Sequence, residues 1–190
     1  MMKHSLFLMA LSVGLLVCKP VHAQKGRDFP YMKTTTLKEE TVALPKATEG
    51  KLAVLALARS KKAEEALNTW MQPLYQTFIQ DYKEDDWLAP AREDYDDVKL
   101  FFIPMFSGLN KMATNKVRKD MRTNLPEKFH QYMLLFEGKD RVYEEKLKMK
   151  DKKEPYFFVL DKKGHVSYAT SGRYTENKLD GIEDAIEANR

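Results

Sequence analysis

The chain has 190 residues, 43% of them hydrophobic, and carries 32 Lys and Arg against 28 Asp and Glu, a net charge of +4. That is enough length for one domain with its own core, and too little charge to make nucleic acid the main partner. A single cysteine, Cys18, excludes an internal disulfide framework.

Lys3 and His4 precede an apolar run, Leu6 to Val17, which ends at Val21, His22 and Ala23. This is the pattern of a secretory signal peptide with cleavage near Ala23. The run is too short to span a bilayer with margin, so the mature chain is expected to lack a transmembrane segment and to be exported, periplasmic or secreted. A lipoprotein reading would acylate Cys18, but Val17 is larger than the Gly, Ala or Ser usual before such a cysteine. The expected organisation is residues 1–23 as signal, 24–33 as a polar lead and 34–190 as one folded domain. Lys3, Lys19 and Cys18 leave with the signal. The mature charge then falls from +4 to +2, and no thiol remains for disulfide exchange, nucleophilic catalysis or metal ligation.

Two β-rich runs, Thr34 to Leu37 and Thr41 to Leu44, flank Lys38-Glu39-Glu40 and predict a hairpin. Leu52 to Ala58, LAVLALA, is continuously apolar, as in a central strand covered on both faces. Ala63, Leu67, Trp70, Met71, Leu74 and Phe78 then recur at helical spacing. They predict a helix from about Lys61 to Tyr82, capped by Ser60 and kinked near Pro73. The apolar side chains of that stripe, Trp70 and Met71 included, are assigned to the core. Between Asp81 and Asp97 eight acidic residues read as a solvated loop. The glycine and distal glutamate of a calcium loop are missing.

Val98 to Met105 predicts a second buried strand ending at Pro104. Gly108 to Asn124 predicts a helix with Leu109, Met112, Val117 and Met121 inward. Its outer face carries Lys111, Lys116, Arg118, Lys119 and Arg122, a candidate contact for an acidic partner or an anionic surface. Gln131 to Phe136 reads as a short strand, and Lys139 to Leu147 as a charged helix with Val142, Tyr143 and Leu147 inward. Tyr156 to Leu160 and His165 to Thr170, joined by Asp161-Lys162-Lys163-Gly164, predict a hairpin. A last helix starts after Thr175 with Leu179, Ile182, Ala185 and Ile186 inward. Alternation of this kind requires an α/β fold: a mixed central sheet with helices on both faces, preceded by a β-hairpin.

TLKEETVALP, LAVLALA, EPYFFVLDKKGHVSYATSGRY and the closing helix together resemble the extracytoplasmic thioredoxin-like domains of the peroxiredoxin and TlpA-like group, over about Thr34 to Ala188. The resemblance implies a thioredoxin-like fold, with a cis proline before the penultimate strand at Glu154-Pro155 and a redox turn after LAVLALA. Arg59, Ser60, Lys61 and Lys62 occupy that turn, where the family carries reactive cysteines. A second resemblance, to thioredoxin-like mitochondrial ATP synthase assembly factors, rests on NTWMQP and VLDKKGHVSYATSG, and implies a helper without redox chemistry.

The expected function is therefore a redox-inactive, exported thioredoxin-like module that binds a protein partner, in the manner of an assembly factor or chaperone. Its candidate surface is the vacated turn, Arg59 to Lys62, with Glu154 and Pro155. The alternative is an oxidoreductase relative, or a small-ligand-binding protein using Trp70, Trp87 and nearby tyrosines, that works without cysteine. No catalytic residue, metal ligand or cofactor is expected: Ser60 has no histidine near it in sequence, and His130 and His165 are assigned structural or surface roles.

Overall fold

In a computed structural model of the chain, residues 26–79, 95–108 and 111–190 are described. The signal segment, the acidic stretch from Asp81 to Asp94 with its Trp87, and Leu109 lie outside them. The strands are β1 (Arg27–Asp28), β2 (Met32–Thr36), β3 (Thr41–Leu44), β4 (Leu52–Ala58), β5 (Val98–Phe106), β6 (Leu134–Glu137), β7 (Tyr156–Leu160) and β8 (His165–Ser171). The helices are α1 (Lys61–Phe78), α2 (Lys111–Asn124), α3 (Arg141–Lys146) and α4 (Glu176–Glu187).

The strands form one sheet in the order β1-β8-β7-β4-β5-β6-β2-β3. β4, β5 and β6 are parallel neighbours, and every other pairing is antiparallel. All seven residues of β4 are buried, because alternate side chains feed two different cores. Val54, Ala56 and Ala58 join Leu67, Trp70 and Leu74 of α1 and Leu179, Ile182 and Ile186 of α4. Ala53, Leu55 and Leu57 join the opposite layer, with Phe29, Met32, Tyr143, Leu147 and Met149. Met121 and Leu125, from α2 and its end, pack on the first layer. Trp70 is the anchor of that layer. Its ring lies 4.2 Å from Phe157 and 5.3 Å from Tyr174, and its Nε1 donates to the Gly172 carbonyl at 2.9 Å.

Several expectations need correction. Pro104 pairs in register with Ala58 inside β5, which continues to Phe106. Gln131 and Tyr132 belong to a 3-10 turn, Glu127–Tyr132, that precedes a shorter β6. Met112 is 82% exposed and Val142 50% exposed, while Thr114 and Arg118 are the buried residues of α2's inner side. Arg118 can lie there because its guanidinium donates to Thr35 Oγ1 at 2.9 Å, Glu137 Oε1 at 3.1 Å and Asn115 Oδ1 at 3.1 Å. The cis proline bond is Leu44-Pro45, at the end of the first hairpin, and not Glu154-Pro155.

Candidate functional site

The carboxyl ends of the parallel strands are where an open α/β sheet places its chemistry. β4 delivers Arg59 and Ser60 there, β5 delivers Ser107 and Gly108, and β6 delivers Gly138 to Asp140. Ser60 is extended and caps α1: its Oγ accepts from the Ala63 amide at 3.2 Å and donates to the Lys152 carbonyl at 2.7 Å. The Arg59 side chain is completely buried. Its Nε donates to Asp140 Oδ2 at 2.9 Å, its Nη1 to the Met149 carbonyl at 2.7 Å and its Nη2 to Glu144 Oε2. One guanidinium thus ties the end of β4 to α3 and to the loop after it.

Burial alone would raise the Asp140 carboxyl. Hydrogen bonds from Arg59 and Ser107, with the charges of Arg59 and Lys152, outweigh burial and hold it below the usual carboxylate value. Beside it, Ser107, Gly108, Gly138 and Lys139 border an open crevice of about 530 Å³.

The turn is therefore filled from within. Arg59 and Pro155 are buried, Ser60 and Glu154 are half-buried, and Lys61 and Lys62 are exposed. The Pro155 carbonyl accepts from the Gly172 amide at 2.9 Å, and Gly172 lies so close to Glu154 that a Cβ there would stand 2.7 Å from Glu154 Oε2. Neither histidine serves Ser60. His165 is hydrogen-bonded to Asp161 at 3.0 Å, beyond the far end of β7, since Leu160 pairs with Ala53 and Tyr156 with Leu57. His130 Nε2 meets the Leu125 carbonyl at 2.8 Å. Among the described residues no group of three or more His, Cys, Asp or Glu could hold a metal. No described helix is long and apolar enough to cross a membrane.

The basic face foreseen on α2 is only part of a surface: Lys116, Lys119 and Arg122 are exposed, whereas Arg118 is buried and paired. The Lys111 side chain lies outside what is described. Sequence reasoning did not foresee the groove of about 350 Å³ between α1 and α2. Its floor includes Leu67, Met71, Val117 and Met121, and Glu64 and Asp120 stand at it. Each helix's stripe was readable alone; their juxtaposition over Pro104 and Met133 was not.

The sequence matches the family described as ATP10 protein from residue 19 to residue 188, through the whole described fold. The chain belongs to the ATP10 protein family. No curated protein matches it. Among solved structures it is similar to a putative thiol:disulfide interchange protein DsbE from Chlorobium tepidum, at 14% identity over 87% of this chain and 96% of that one, with a TM-score of 0.52. It is also similar to BsSco, a member of the Sco family of cytochrome c oxidase assembly proteins, at 14% identity over 90% and 96%, with a TM-score of 0.53. A pneumococcal exposed lipoprotein thioredoxin, Etrx1 from Streptococcus pneumoniae, gives 13% identity over 82% and 99%, with a TM-score of 0.50. These likenesses establish the thioredoxin-like fold for this ATP10-family chain.

Proposed function

We propose that the protein is exported, with residues 1–23 removed, and that it holds a partner protein during assembly without thiol chemistry of its own. The observation that carries this reading is the turn after β4. Thiol-disulfide exchange needs a thiolate there, and the turn instead holds a buried arginine bonded to three acceptors from α3 and its following loop. The only cysteine of the chain, Cys18, falls in the segment read as signal.

The partner face assigned here begins at the exposed Lys61 and Lys62 and continues along α1 into the groove between α1 and α2. Three methionines, Met71, Met121 and Met133, contribute to its wall, and unbranched thioether side chains adapt to varied apolar shapes. Glu64 and Asp120, which have no ion-pair partner among the described residues, favour a basic neighbour. The fitting occupant is an amphipathic helical segment of a partner, apolar on one side with Lys or Arg beside it.

Photo-crosslinking residues placed at Lys62 and Asn68, and at Lys163 as a distant control, test the assignment in the native envelope. The reading requires a common adduct from Lys62 and Asn68 that is absent from Lys163 and lost on Met71→Glu. Equal adducts from all three positions overturn the face. Reduction of insulin disulfides by the purified protein would overturn the redox-inactive reading separately.

A further inference from the structure

Residues 139–153, KDRVYEEKLKMKDKK, hold seven Lys and Arg against four Asp and Glu, a surplus of +3 in a chain whose total is +4. The structure widens this asymmetry. Asp140 and Glu144 both turn inward onto Arg59. Glu145 pairs with Arg141 at 2.9 Å, which leaves the difference unchanged, and Asp151 is the one acidic side chain of the segment that stays exposed and unpaired by a cation among the described residues. Leu147 and Met149 are buried in the sheet layer opposite α1 and α4, and Lys146, Lys148 and Lys150 alternate with them at the surface. Lys139, Lys152 and Lys153 are exposed as well. None of the six lysines lies within ion-pair distance of a carboxylate among the described residues.

They share one neighbourhood, because a single guanidinium reaches residues 140, 144 and 149 and the adjacent Ser60 hydroxyl reaches residue 152. Two uncovered apolar side chains border the ridge: Val142, 50% exposed, and Tyr31, 67% exposed. Tyr143, next to Val142, donates its hydroxyl to the Tyr31 carbonyl at 2.9 Å.

We propose that this lysine ridge docks the protein on an anionic lipid bilayer. Flexible, strongly hydrated ammonium groups suit a diffuse field of headgroup phosphates, whereas bidentate recognition of carboxylates on a protein favours arginine forks. A tyrosine and a small aliphatic side chain at the margin suit the water-lipid boundary. Docking through this layer leaves α1, α2 and α4, on the opposite side of the sheet, free for a partner. The inference stands apart from the partner reading, since neither the groove nor Lys62 is part of the ridge.

Co-sedimentation of the protein, as the cell processes it, with vesicles of phosphatidylcholine alone and of phosphatidylcholine with phosphatidylglycerol tests it. Binding is expected only with the anionic vesicles, weakening as salt is raised. Lys146→Gln, Lys148→Gln and Lys150→Gln together should lower the partition coefficient about a hundredfold, each lysine contributing about fivefold. The equal charge change Lys116→Gln, Lys119→Gln and Arg122→Gln on α2 should leave it within a few-fold. Equal losses from the two triple variants, equal binding to neutral vesicles, or no binding to anionic ones each overturn the proposal. So does retention on polyglutamate without vesicle binding, which would assign the ridge to an acidic protein. All six substituted side chains are exposed, and unchanged thermal melting checks that folding is not the cause.

Discussion

Arg59 and Asp140 stand 81 positions apart in the chain and meet at 2.9 Å in the interior. The pair ties the carboxyl end of β4 to the start of α3. It also fixes α3, whose only described regular stretch is six residues long and too short to be stable alone.

Arg59→Leu removes the partner of two carboxylates and leaves the Met149 carbonyl without its donor. Losing one side of a buried ion pair costs about 3–5 kcal/mol, and urea denaturation should show a loss of that order. Arg59→Lys should recover only part of it, because one ammonium cannot reach three acceptors as the planar fork does. A loss below about 1 kcal/mol for Arg59→Leu would mean that the network does not hold α3 against the end of β4.

Acid should act on this pair with a definite sign. The folded Asp140 carboxyl titrates below its unfolded value, about 3.9 for a free aspartate, so its contribution is present above that value and is lost as pH falls through the folded one. Glu64 behaves oppositely: burial raises its carboxyl, Lys61 offsets part of the rise and Glu65 adds to it. Its charged form therefore weakens the fold at neutral pH. Stability curves against pH should show Asp140→Asn losing less than the wild type on acidification. Glu64→Gln should be more stable than the wild type at pH 7 and show no advantage in acid. The reverse order for either variant would contradict the assigned environments.

Trp70→Phe keeps a ring against Phe157 but deletes the donor to the Gly172 carbonyl and part of the ring's volume. The unmet buried acceptor and the residual space should together cost about 2–4 kcal/mol. The variant should also shift the backbone amide resonances of Gly172 and Tyr174, which a loss spread through the core would not single out.

Gly164 closes the β7–β8 turn at φ +84°, and a Cβ there would come within 2.9 Å of two Pro45 ring atoms. Gly164→Ala therefore incurs both left-handed backbone strain and a clash, about 1–3 kcal/mol in all. Gly50→Ala provides the comparison, since its φ is +78° with nothing within 4 Å. If the two variants lose the same stability in parallel melts, the contact with Pro45 contributes nothing.

Local pattern carried much of the fold. The unbroken run of β4, the stripe of α1 and the β7–β8 hairpin each announce their own neighbours, so the thioredoxin-like arrangement was legible. The errors came where a distant partner reversed a local preference. Arg118 reads as a solvated charge on α2 until Glu137 and Thr35 are brought beside it, and its burial turns Met112 outward. Pro104 reads as a strand end, yet its neighbours β4 and β6 keep β5 going to Phe106. Arg59 was visible only as a lone cation ending an apolar strand. Its three acceptors, 81 to 90 residues downstream, follow no short-range rule. The turn itself could be located from the run that precedes it, but the contacts of Arg59 that fill it are tertiary.

The described sheet ends in a short strand on either side. On one side β1 has two residues; on the other β3 has four, and Pro45 follows it without an amide hydrogen. Such short borders give an incoming backbone little to copy, a common protection against edge-to-edge stacking. For a protein that would work at high local concentration on a surface, the consequence is selectivity. A partner of the proposed kind would then be recognised through side chains on the layers, by its chemistry and not merely by its readiness to become one more strand.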